Sequence, residues 1–201
     1  MKKTLLCIAA FLLLFSLVSC ESAWEGEDGM LVVNIEGTDI TYKRYENYMA
    51  VSVKIGTLIA ETEESEYFAV SGLDMKKYLC THPDRGSVVY AEESIELPQL
   101  KGFNPTEVYI CYIANNNTVA HPLENAAVLE QLVSQMTDNP ATAMPTVVHQ
   151  SYILDFVSQD YPNLYYSLRF VVDRQGNGYL IDRQTNRCVA LTAEVTQALL
   201  V

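Results

Sequence analysis

Basic charge is scarce in this 201-residue chain: 13 Lys and Arg stand against 25 Asp and Glu, a formal net charge of −12. Neutralising phosphates needs clustered cations, so this balance argues against a nucleic-acid partner and against a basic patch on anionic headgroups. Histidine is sparse too. His82, His121 and His149 lie far apart, with neither H-x-H nor H-E-x-x-H spacing, and they read as unrelated residues rather than metal ligands. No pair among the five cysteines has C-x-x-C spacing, which leaves no redox motif and no zinc knuckle. Also missing are a G-x-S-x-G elbow, an S-x-x-K pair, a phosphate loop and a dinucleotide fingerprint. These absences name no catalytic residue, no metal and no cofactor, and they lean against an enzyme. Carboxylate pairs of the glycosidase kind leave no short signature, so an envelope hydrolase stays open as an alternative.

A membrane-length apolar run is likewise missing. Leu5 to Val18 is apolar almost throughout, yet at about 14 residues it is too short for a ~30 Å hydrocarbon core and suits a signal peptide. Lys2 and Lys3 precede it, and Leu17-Val18-Ser19-Cys20 closes it. Glu21, Glu25, Glu27 and Asp28 follow, which no membrane helix would accept. The segment 1–20 resembles the signal peptide and lipobox of bacterial lipoproteins. That resemblance implies cleavage before Cys20 and diacylglycerol on its sulfur, often with a third chain on the new amino group. It predicts a chain lipid-anchored in the cell membrane or outer membrane, on the extracytoplasmic side. Each buried methylene contributes ~0.8 kcal/mol, so two or more chains anchor stably. Loss of Lys2 and Lys3 with the leader takes the net charge from −12 to −14.

Residues 20–29 then read as lipid anchor and acidic spacer, and the same acids resemble a surface-export signal. Residues 30–201 are long enough for one domain that buries roughly 70% of its unfolded surface. The patterning predicts a single α+β domain, mostly antiparallel sheet, with a C-terminal β-meander and one or two helices. Leu31–Ile35 reads as a strand. Tyr42, Tyr45 and Tyr48 recur at helical spacing, then Val51, Val53 and Ile55 alternate, which predicts a short helix or loop running into a strand. Ile55–Glu61 and Tyr67–Val70 pair about an acidic turn, and Tyr78–Cys80 pairs with Ser87–Tyr90 about the turn cluster 82–86. Val108–Ile113 is a buried strand followed by a loop at Asn115–Asn117. A helix is expected from Pro122 to about Thr137, stopped by Asn139-Pro140. Four meander strands follow at 147–156, 164–172, 178–182 and 187–191, with a closing helix over Ala193–Leu200. Between Ile55 and Cys80, Gly56-Thr57 and Ser71-Gly72-Leu73-Asp74 resemble stretches of uncharacterised bacterial lipoproteins, a resemblance that carries no activity.

Candidate chemistry is thin. Asp173, Asn177, Gly178 and Leu180 fall at positions 1, 5, 6 and 8 of a calcium loop, but Gln184 stands where the bidentate glutamate belongs. Hard Ca²⁺ needs several anionic oxygens, so a hairpin turn is the better reading. The acidic run Glu61–Glu66 reads as a solvated hairpin tip. Cys80, Cys111 and Cys188 read as core thiols, with one disulfide among them as the alternative. Tyrosine gives large contact area with one polar handle. Tyr161, Tyr165 and Tyr166, clustered about Pro162-Asn163, are therefore the candidate ligand-binding residues. The expected role is non-enzymatic binding of an envelope protein or glycan partner, with a structural or immunity-type lipoprotein as a further alternative.

Overall fold

The structure, a computed structural model, describes residues 21–26, 30–51, 54–81, 87–114 and 117–200. The leader, Cys20, the turn cluster 82–86 and Asn115–Asn116 lie outside the described residues.

Seven strands close a barrel: β1 (Glu21–Glu25), β2 (Leu31–Ile35), β3 (Thr38–Ala50), β4 (Ile55–Glu61), β5 (Glu66–Val70), β6 (Tyr78–Thr81) and β7 (Val88–Glu92). They pair in the order β2-β1-β4-β5-β6-β7-β3, and β3 pairs back onto β2. Every pairing is antiparallel except β1 with β4, where Glu21 faces Ala60 and Ser22 faces Glu61. Closure satisfies edge N–H and C=O groups that an open sheet would leave unpaired.

The rest of the chain builds onto one flank. It comprises α1 (Leu100–Phe103), β8 (Glu107–Ala114), β9 (Asn117–Pro122), α2 (Ala126–Asp138), β10 (Val148–Val157), β11 (Leu164–Asp173), β12 (Gly178–Asp182), β13 (Arg187–Ala190) and α3 (Ala193–Ala198). The strands run β9-β8-β10-β11-β12-β13, all antiparallel. The start of β11 pairs with the end of β3, Leu164 opposite Ala50 and Tyr166 opposite Tyr48, which joins the outer strands to the barrel.

Strand periodicity divides the apolar residues between two cores. Leu31, Val33, Ile35, Tyr42, Leu79 and Tyr90 fill the barrel. On β6 and β7, Cys80, Val89 and Ala91 alternate with them and enter a second core, packed by α2 and the outer strands. One wall therefore serves both cores. A small third cluster, Val171, Ile181 and Cys188, lies apart from both.

The expected strand-rich chain with a C-terminal meander stands, and its helical share is three short helices. The closed barrel was not foreseen. Several local expectations need correction. Glu21–Glu25, read as spacer from its acids, is strand β1, because β2 and β4 supply pairing partners that its composition does not reveal. The tyrosine triplet lies within one 13-residue strand, not a helix. Tyr42 faces the barrel, Tyr45 and Tyr48 face the second core, and a bulge between Tyr45 and Met49 imitates the three-residue period. Pro122 ends β9 rather than starting a helix; α2 starts at Ala126, where the Asn125 side chain accepts from the Ala127 N–H at 3.0 Å.

Candidate functional site

The bulge in β3 also builds a cleft. In a regular strand Asn47 and Tyr48 would point to opposite faces. The slipped register instead brings Tyr45, Asn47 and Tyr48 together along one recess of about 420 Å³. Facing them are the β12–β13 turn, Asp182 to Thr185, and the segment Glu96–Gln99 that leads into α1.

The floor is a buried polar cluster. Asn47 is 1% exposed, Tyr166 3% and Asp182 4%. The Asn47 amide donates to Asp182 Oδ1 at 2.5 Å and to the Tyr166 hydroxyl at 3.2 Å. Tyr166 in turn donates to Asp182 Oδ2 at 3.2 Å. Backbone N–H groups complete the set: Arg183 donates to Asn47 Oδ1 at 3.1 Å and Thr185 to Asp182 Oδ1 at 2.9 Å. A buried carboxylate is costly without donors, and here Oδ1 has two and Oδ2 one. Burial, and then the Asp182 charge, push the Tyr166 phenol well above its ordinary value of 10.0, so it remains a donor at neutral pH.

Tyrosines also hold the opposite wall. Tyr48 OH donates to Pro98 O at 2.5 Å, and Tyr45 OH donates to Ile95 O at 2.8 Å while accepting from the Leu97 N–H at 3.4 Å. Lys43 Nζ lies 5.4 Å from the centre of the Tyr45 ring. On the β12–β13 turn, the Gln184 side-chain oxygen accepts from the Glu46 N–H, leaving its NH₂ uncommitted. Gln99 occupies the N-cap of α1 without a side-chain cap bond. The cleft thus combines a hydrogen-bonded polar floor and an aromatic wall with amide, hydroxyl and charged groups around its rim. This composition suits a small polar ligand.

The three tyrosines singled out from sequence do not form one patch. Tyr165 and Tyr166 are strand neighbours and point to opposite faces. Tyr166 underlies the cleft, whereas Tyr165 lines a different recess of about 560 Å³ with Arg44, Asp155 and Arg183. Tyr161 stacks on Phe103, ring centres 5.2 Å apart, at the margin of the second core. Asn47, Tyr45 and Tyr48 were missed as site residues. The three-residue tyrosine spacing was their only local signal, and Asp182 lies 135 positions from Asn47.

Asp173 heads a hairpin turn, as expected. Its carboxylate accepts from the N–H groups of Gln175 and Asn177, the Asn177 amide and the Tyr179 hydroxyl, all at 2.9 to 3.1 Å. Those bonds, the Asn177 side chain first, hold its carboxyl below the ordinary value of 3.8. Cys80 and Cys188 are buried and Cys111 half-buried, and all three are free thiols. Burial pushes Cys80 up to about 12; burial and the Asp155 carboxylate do the same to Cys111. His121 stacks on Tyr112, ring centres 5.7 Å apart, well away from the cleft residues in sequence.

Among the described residues no three His, Cys, Asp or Glu side chains are grouped to hold a metal, and no helix is long and apolar enough to cross a membrane. Comparison with protein-family models, curated proteins and solved structures finds no match to this chain.

Proposed function

We propose that this protein is a bacterial lipoprotein, held by acyl chains on Cys20 to the outer side of a cell membrane or outer membrane, with a non-enzymatic binding or accessory role in the cell envelope. The observation that carries the reading is the Leu17-Val18-Ser19-Cys20 motif after Lys2, Lys3 and a short apolar run. The cleft at the β3 bulge supports the binding half. It is of ligand-pocket size, floored by a closed hydrogen-bond cluster, and rimmed by groups that described protein partners leave free. The partner is an envelope glycan or protein.

Two measurements test the two halves. Cells grown in labelled palmitate are expected to label the wild-type chain and not Cys20→Ala, which is released in soluble form; unlabelled protein of unprocessed mass overturns the anchorage. Capture from envelope extracts is expected to enrich one partner on the wild type and lose it on Thr185→Arg, which fills the cleft. Equal enrichment on both overturns the binding site.

One observation favours a hydrolase as the second reading: the carboxylates of Glu96 and Asp182 line the same cleft. Both Asp182 oxygens accept bonds from protein donors, which suits a structural role better than an acid–base one. An untargeted hydrolase screen yielding activity that Glu96→Gln abolishes would reverse that preference.

A further inference from the structure

We infer that the cleft at the β3 bulge takes a small zwitterion, one carrying both an ammonium and a carboxylate group, as amino acids and short peptides do. The inference rests on the binding reading above and names the ligand class of that site.

Tyr45 contacts one charge through its ring and, through its hydroxyl, the backbone that carries another. Lys43 Nζ sits against its ring at 5.4 Å, and its hydroxyl ties down the backbone on either side of Glu96, through Ile95 O and the Leu97 N–H. Lys43 and Glu96 line one recess, yet neither forms an ion pair with the other or with any other described residue. An unpaired cation and an unpaired anion lining one cleft recognise a ligand of matching, opposite polarity. Lys43 takes the ligand's carboxylate and Glu96 its ammonium. The Gln99 and Gln184 amides, which line the same recess, suit a peptide group, which needs one donor and one acceptor. A neutral saccharide would leave both charges without partners. A simple anion would be repelled by Glu96, and by Asp182 below it.

Titration calorimetry on the detergent-solubilised full chain tests this with dialanine, the same peptide acetylated or amidated, and maltotriose. Dialanine is expected to bind, and blocking either end to weaken it at least tenfold. Glu96→Gln should weaken dialanine at least tenfold and make acetylation inconsequential; Lys43→Met should do the same for amidation. Both side chains are exposed, and an unchanged urea midpoint will show that the fold is kept. Affinity for dialanine indifferent to both substitutions overturns the inference. Maltotriose binding without dialanine binding overturns it too, while leaving the binding reading intact. If no probe binds, the zwitterion assignment falls, and capture from envelope extracts separately decides the binding reading.

Discussion

Asn47 holds the β12–β13 turn against β3 through both ends of its amide, so its loss takes a bond from three partners at once, Asp182, Tyr166 and the Arg183 N–H. Without it, the Arg183 N–H loses its acceptor, while Asp182 Oδ1 and the Tyr166 hydroxyl each lose a donor, in a site that water barely reaches. Asn47→Ala is expected to destabilise the fold by about 2–4 kcal/mol, read as a lower urea midpoint at unchanged slope. Two other carboxylates act in opposite directions with pH. Burial raises the Asp155 carboxyl above its ordinary 3.8, against bonds from Ser167 and Cys111 that lower it. The folded chain then holds a proton that the unfolded chain has released, so stability declines as pH rises from 3.8 through the folded value. Asp173 is lowered instead; its contribution is present above 3.8 and is lost as pH falls through its folded value. Denaturation series across pH should show Asp155→Asn flattening the decline above 3.8. Asp173→Asn should remove the loss at the acid end and lower stability at neutrality.

At the scale of elements, Gly178 owes its place to packing rather than to backbone conformation. Its place in the sequence imitates the glycine of a calcium loop, yet its backbone is ordinary and the positive φ, 87°, belongs to Gly176. The crowding comes from elsewhere. A Cβ on Gly178 would overlap Thr196 Oγ1 and Cγ2 on α3 and press on Phe170. Gly178→Ala is therefore expected to cost about 1–3 kcal/mol, and Thr196→Ala to recover part of it in the double variant, as a thermal double-mutant cycle will measure. The same distinction explains what was legible. Paired strands with their turn between them, such as β4 with β5 or the meander β10 to β13, carry alternation and turn residues in one stretch of sequence. Strands β1 and β9 do not. Acidic Glu21–Glu25 and polar Asn117–Pro122 are strands only because distant or unexpected partners offer hydrogen bonds. The cleft was hidden for a related reason. Its polar floor joins residues 47, 166 and 182, and no local pattern announces that meeting.

For the whole molecule, the shared wall is decisive. Leu79 and Tyr90 pack inside the barrel, while Cys80, Val89 and Ala91 on the same strands pack in the second core. Neither core can come apart without stripping one face of β6 and β7. The chain is thus expected to unfold in one transition, with Trp24 fluorescence in β1 and helical circular dichroism giving coincident urea midpoints. Separated midpoints would mean that the wall survives loss of one core.

Strand β1 begins at Glu21, one residue after the cysteine proposed to carry the lipid. Under that anchorage the molecule rides on its bilayer without a tether, because the residues that would form one are sealing the barrel's seam. Any tug on the acyl chains reaches the Glu21–Ala60 pairing first. The joint that fixes this body to its surface is therefore also the stave that keeps its cask shut.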